Sequence, residues 1–538
     1  MTRGQQVVRV GAGAIALLSL LGGVRAIALN SSVGDRGIDA LRLHQAPYSL
    51  TGRKIAIGQV EIGRPAQFGL DKTASQNFAV RPWQALFRTR QSDPNENVDR
   101  HAASVASVMI SNDKAFRGVA PDARLHAAAA GSLREGGQMY ECQASQAVAQ
   151  QNGGDVRAIN FSFGESLLRD PRPDAMLDGN ALLTQCIDWS ARVHNVLYVI
   201  AGNQGQGGIP IPTDNFNGMV IANSIEMDGV FRKVSFADLG SEPPLLPNRP
   251  SESNVGPRRS VTLTAPGTQL RTIDADGSAS QSRQTGTSFA APHVVATVAL
   301  LQEWGDRQLA AQVPQWSLDA RRHEVMKAVL MNAADKLQDT GDGLTLGMSR
   351  TAVDQRNQDW LSADAFLDET KPLNANLGTG HLNAYRAWQQ FSAGQWSAAA
   401  PVAPIGWDYS TVGSGTDAPV FRDYEIEQPL QAGSYVSASL AWNRHIELND
   451  ANRDGGYTIS ERFVDRGLNI LDLYLMPIDE ADPANRIRGS FSDVDSVEHI
   501  FHPVPKTGRY KLRVVFRQQV NDPVQPYALA WWTAPAQP

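Results

Sequence analysis

The chain has 538 residues, of which 42% are hydrophobic and 19% charged, with a formal net charge of −6. That length allows more than one domain and a sizeable core, and the mild acidity leaves no basic footprint for nucleic acid. The two cysteines, Cys142 and Cys186, resemble neither a catalytic nor a metal site.

In chain order, Arg3 and Arg9, the apolar run 12–21 and Val24-Arg25-Ala26-Ile27-Ala28 outline a secretory signal over residues 1–28. It implies a secreted or periplasmic protein, a retained N-terminal anchor being the other reading. The run is short for a membrane span, and no other segment suits one. Residues 29–50 form a short N-terminal segment.

An apolar strand, Lys54-Ile55-Ala56-Ile57-Gly58-Gln59-Val60, then runs into Glu61-Ile62-Gly63. His101, one of ten histidines, heads the small-residue stretch Ala102-Ala103-Ser104-Val105-Ala106-Ser107-Val108, followed by Gly118-Val119-Ala120-Pro121. A helix over 143–151 stops at Gly153-Gly154. Strand 156–161 continues into Ser162-Phe163-Gly164, helix 182–194 follows, and strand 196–200 ends in Ala201-Gly202-Asn203-Gln204-Gly205. A further apolar strand covers 219–222. This alternation implies βαβ units and a parallel sheet, whose ligands bind at the carboxyl ends of the strands. Glu61, Ser162 and Asn203 fall at or near those ends. Cys142 and Cys186 lie on successive helices, as one disulfide in an oxidising compartment or as two buried thiols.

The most specific segment is Gly286-Thr287-Ser288-Phe289-Ala290-Ala291-Pro292-His293-Val294. A Gly-Thr-Ser turn opening into an apolar helix puts a hydroxyl beside unpaired backbone N–H groups and the positive end of the helix dipole. That setting suits a nucleophile whose attack creates an oxyanion; the plainer use of such a serine is as a helix cap.

The nonapeptide resembles the nucleophile motif of subtilisin-like serine proteases, and the other segments fall in that family's chain order. The stretch from His101 resembles the family's histidine helix, with Ala-Ala-Ser-Val-Ala-Ser where Gly-Thr-His-Val-Ala-Gly is usual. Glu61 occupies the position of the family's aspartate; Asp99 and Asp71 are weaker candidates for the acid. Gly202-Asn203 resembles the family's oxyanion asparagine, which acts beside the Ser288 N–H. Ser162, Phe163 and Gly164 resemble the substrate-pairing segment, with Ala201 and Gly202 beside the pocket and residues 125–129 as an opposite rail. Residues 261–267 and 378–384 complete the match, which spans about 50 to 395. The resemblance implies an α/β three-layer fold with a parallel sheet, polypeptide substrates, and a Glu61–His101–Ser288 triad needing no cofactor for its chemistry.

Beyond Trp396 the composition changes. Residues 396–419, rich in Pro, Gly and Ser, read as a linker after a catalytic domain over 51–395. Alternating strands over 420–538 read as an antiparallel β-sandwich, which resembles the jelly-roll-like C-terminal domains of many members of that family. Within it, Asp450, Asn452, Asp454 and Glu461, with Gly455, satisfy a calcium-loop pattern, or else form a polar turn. Two functions remain open: an active secreted endopeptidase, or a catalytically impaired relative that keeps the groove as a peptide-binding module.

Overall fold

A ten-stranded sheet organises the first part of the chain. The computed structural model describes residues 27–131, 137–173, 175–203, 211–234 and 257–536. The main strands are β1 (Ala56–Glu61), β2 (Gln84–Phe87), β3 (Arg124–Ala129), β4 (Val156–Phe161), β5 (Leu197–Ala201), β6 (Met219–Met227), β7 (Val230–Lys233) and β8 (Val261–Pro266). Across the sheet the order is β7, β6, β5, β4, β1, β3, β2, with β8 also paired to β6 and two-residue strands at the edges. From β2 to β6 every pairing is parallel, and β6 with β7 is antiparallel. β1, β4, β5 and β8 are buried at every position, as parallel strands covered on both faces must be.

The main helices among the described residues are α1 (Arg100–Ile110), α2 (Gln138–Ala149), α3 (Leu182–His194), α4 (Thr287–Ala310), α5 (His323–Ala333) and α6 (Ala384–Ser392). The period of two along β5 shows the layers. Leu197 and Val199 pack in one core with α1 and α4, whereas Tyr198 and Ile200 pack in a second core with α2 and α3. Cys142 on α2 and Cys186 on α3 are disulfide-bonded. Among the described residues no helix is long and apolar enough to cross a membrane.

Residues 29–50 belong to the first core, where Leu29, Val33, Ile38, Leu43 and Leu50 are fully buried. The signal read at 1–28 lies outside the described residues except for Ile27–Ala28, which pair in parallel with Leu270–Arg271.

The C-terminal strands are β9 (Ile405–Gly413), β10 (Phe421–Glu425), β11 (Tyr435–Trp442), β12 (His445–Asn449), β13 (Arg462–Gly467), β14 (Ile470–Pro477), β15 (Arg488–Ser490), β16 (Val497–Pro503), β17 (Tyr510–Gln518) and β18 (Val524–Trp532). They form two antiparallel sheets, β9-β18-β11-β16 and β10-β17-β14-β15, around a core that includes Trp442, Leu473, Leu512 and Trp531. The reading of 396–419 as a linker is corrected: β9 lies inside it and pairs along its length with β18. Gly406 is there for packing, since a Cβ would stand 2.7 Å from both the Trp396 and Trp531 rings.

The sandwich is fused to the α/β unit. Trp407, Ala441, Val497 and Ala528 join the core that holds α4 and α5. The β12–β13 hairpin lies against α2 and α3, with Tyr457 N donating to Gln146 Oε1 (2.8 Å) and the Phe463 ring 5.7 Å from Trp189.

Candidate active site

The site lies along the carboxyl edge of the sheet, where β1, β4 and β5 end beside the first turns of α1 and α4. β1 delivers Glu61, which is 3% exposed. Its Oε2 meets His101 Nδ1 at 2.7 Å, and its Oε1 accepts from Gln59 Nε2 at 3.0 Å. Gln59 also donates to Ala102 O (2.9 Å), tying strand to helix. The sequence reading missed Gln59, although its position two residues before Glu61 puts both on one face of the strand.

His101 sits in the first turn of α1, whose cap is Asp99, with Oδ1 accepting from Ala102 N at 2.9 Å. Burial lowers the basicity of the ring, but the charge and hydrogen bond of Glu61, helped by the charge of Asp99, override it and raise the imidazole to about 9. Among the described residues, Glu61, Asp99 and His101 form the one group of three His, Cys, Asp or Glu whose donor atoms lie within 4.8 Å of one another. With Nδ1 already bonded to Glu61, the group is a base facing two acids. Asp71 is spent elsewhere, in a buried bidentate pair with Arg64 (2.6 and 2.9 Å) and as acceptor from Gln67 N and Asn95 N.

Ser288 is the second residue of α4, a 24-residue helix. Pro292, inside this helix, has no N–H to give the carbonyl four residues back, which is that of Ser288. Ser162 Oγ fills the gap, donating to Ser288 O at 2.8 Å, while Asn160 Nδ2 donates to Ser162 Oγ at 2.8 Å. The Ser288 hydroxyl donates in turn to Ser162 O at 3.1 Å. This exchange ties the end of β4 to the nucleophile position. The Phe289 ring packs on His101 with centroids 5.6 Å apart.

Asn203 is half-buried and follows Gly202, whose N–H donates to Ile221 O (2.9 Å) and whose carbonyl accepts from Thr287 Oγ1 (2.7 Å). The residue before Asn203 is thus bonded to the residue before Ser288. Gln204 and Gly205 lie outside the described residues. Ser162 and Ala201 are buried; Phe163 and Gly164 are half-buried, and Phe163 stacks on Phe161 at 5.1 Å. Both pass beyond the paired part of β4, so their backbone leaves the sheet ladder. Residues 125–129 do not form an opposite rail: β3 is paired with β1 on one side and β2 on the other, leaving no free edge.

The loop 450–461 lies apart from this site, between β12 and β13. Asp450 accepts from Arg453 N (2.6 Å) and Gly455 N (2.9 Å), Asn452 Oδ1 from Asp454 N (2.9 Å), and Glu461 from Ala451 N (2.9 Å) and Thr458 N (2.8 Å). Gly455 has φ +77°, the conformation that favours glycine at this place in the pattern. The carboxylates of Asp450, Asp454 and Glu461 do not close to the 4.8 Å spacing found at His101.

No curated protein matches the chain by sequence. The chain is similar to the solved structure of MycP1 with its N-terminal propeptide removed, at 17% identity over 67% of this chain and 96% of that one, with a TM-score of 0.39. It is similar to the prenylagaramide maturation protease PagA at 16% identity over 65% and 98%, with a TM-score of 0.42. For MycP1 from Mycobacterium smegmatis the values are 15%, 70%, 87% and 0.39. Residues 56–349, more than half of the chain and the span that carries Glu61, His101, Asn203 and Ser288, match the subtilase (peptidase S8) family model, and the chain belongs to that family of serine peptidases.

Proposed function

We propose that the chain is an exported serine endopeptidase that works through an acyl-enzyme with a Glu61–His101–Ser288 triad. The observation that carries this reading is the 2.7 Å contact between Glu61 Oε2 and His101 Nδ1, on the sheet edge that also holds Ser288. Ser288 Oγ attacks the scissile carbonyl carbon and its proton passes to His101 Nε2. Glu61 holds the Nδ1–H and stabilises the imidazolium. The oxyanion is met by the Asn203 side-chain amide and the Ser288 N–H, at the positive end of α4. His101 returns the proton to the leaving amine, and water then cleaves the ester by the same steps in reverse.

To start, the Ser288 hydroxyl turns from Ser162 O toward His101. An imidazole titrating at about 9 carries protons on both nitrogens at neutral pH and offers no acceptor, consistent with the hydroxyl bonding elsewhere. The substrate lies extended along Ser162, Phe163 and Gly164, with Ala201 and Gly202 beside the pocket. That hydroxyl bond is also what favours the second reading, a peptide-binding module without turnover. Hydrolysis of a denatured protein separates the two: the active reading requires turnover that Ser288→Ala and His101→Ala each abolish.

Export rests on the signal-like residues 1–28 and on the Cys142–Cys186 disulfide, a bond of oxidising compartments. The loop with Asp450, Asn452, Asp454 and Glu461 is proposed to take a structural calcium ion, supported by the glycine at its sixth position and by three carboxylates on one turn.

A further inference from the structure

The loop leaving Glu61 and the loop entering His101 are joined. Arg64 N donates to Asn97 O (2.9 Å), Asp99 N donates to Arg64 O (2.9 Å), and Arg64 and Val98 form a parallel bridge. Gly63 permits this approach, because a Cβ there would stand 2.4 Å from Asp99 Cβ and 2.9 Å from Asn97 O. The buried Arg64–Asp71 pair fixes the base of the clasp, and Arg64 also donates to Asp93 O at 3.1 Å. The clasp sets the Asp99 carboxylate against the same imidazole as Glu61, with donor atoms of all three within 4.8 Å.

Capping α1 engages only Oδ1 of Asp99, and a cap needs no charge, since asparagine serves as well as aspartate. The charge therefore has a separate consequence. The charged groups acting on His101 are Glu61 from β1 and Asp99 from α1, while α4 presents the uncharged Phe289 ring. Glutamate reaches the ring with one more rotatable bond than the family's aspartate, so a single carboxylate fixes it less firmly.

We propose that Asp99 is a second acid for His101, a positioning residue that shares with Glu61 the holding of the imidazole and the stabilisation of its protonated form. The proposal rests on the triad reading above, with Asp99 acting through His101 rather than touching substrate.

The test compares Asp99→Asn with Asp99→Ala in the full chain. Asp99→Asn keeps the cap and removes the charge, so the acid limb of kcat/KM moves to lower pH by about half a unit. NMR titration of the His101 ring, which needs no turnover, moves down with it. Plateau kcat falls about threefold with KM unchanged, as expected for a contribution made only as the imidazolium forms. Asp99→Ala shows the same shift together with a lower Tm from the lost cap. In a Glu61→Gln background, where Asp99 is the remaining acid, Asp99→Asn costs more than in the wild type. An Asp99→Asn profile and ring titration that superimpose on the wild type overturn the proposal and leave Asp99 as a cap alone. Hydrolysis that persists in Ser288→Ala overturns the triad reading itself, a distinct outcome that removes this proposal with it.

Discussion

Replacing Glu61 by Gln removes the charge that raises His101 while keeping the length and polarity of the side chain. In the wild type, burial works against protonation, yet Glu61 and Asp99 raise the imidazole to about 9. A base with that value is neutral in roughly one molecule in a hundred at pH 7 and in about half at pH 9. Wild-type kcat/KM therefore climbs about fiftyfold between these pH values along a single limb. In Glu61→Gln the largest raising influence is gone and burial remains, so the limb moves below pH 7 and the profile is flat from pH 7 to 9. The plateau nonetheless falls by about four orders of magnitude, because the imidazole is no longer oriented or its charge matched. The assay is steady-state cleavage of a fluorogenic peptide across pH 5–10, with circular dichroism to confirm folding. A Glu61→Gln limb still near pH 9, or a plateau equal to the wild type, would refute the assignment of Glu61.

Three further outcomes are expected. Asn203→Ala lowers kcat by about two to three orders of magnitude with little change in KM, measured with the same peptide, since an oxyanion donor acts mainly in the transition state. Calcium raises the Tm of the full chain relative to chelator and Glu461→Gln reduces that rise; the full chain is the proper subject because the sandwich shares a core with α4 and α5. Burial, reinforced by Glu165, pushes Glu141 well above the usual carboxylate range, so its contribution to stability is present at acid pH and is lost as pH rises past its unfolded value of about 4.5 through its folded value. Glu141→Gln should accordingly lose less Tm than the wild type between pH 5 and 9.

The α/β layering was readable because 196–200 is an unbroken apolar run, as suits a strand buried on both faces, and 156–161 is interrupted only by Arg157 and Asn160. The start of α4 was readable from its Gly-Thr-Ser turn, but the helix runs on to Ala310, past the apolar stretch that marked it, since Trp304 and Gly305 pack against Trp388 and Phe391 of α6. Pattern alone does not show which strands flank which, so 125–129 looked available as a rail although both its edges are paired. Composition misled at 396–419, where Gly406 reads as flexible in a linear chain and is required by two tryptophan rings in the folded one. Asp99 had a legible local signature as a helix cap. Its place beside Glu61 depends on the clasp between two distant loops, which no local pattern reports.

The central claim, that Ser288 is a nucleophile activated by His101, is tested most directly by treating the folded full chain with a fluorophosphonate and mapping the adduct by tandem mass spectrometry. The account predicts a single adduct on Ser288, formed faster as pH rises from 7 to 9 and absent in Ser288→Ala and His101→Ala. No adduct on the folded wild type, or one that forms equally well in His101→Ala, would contradict it.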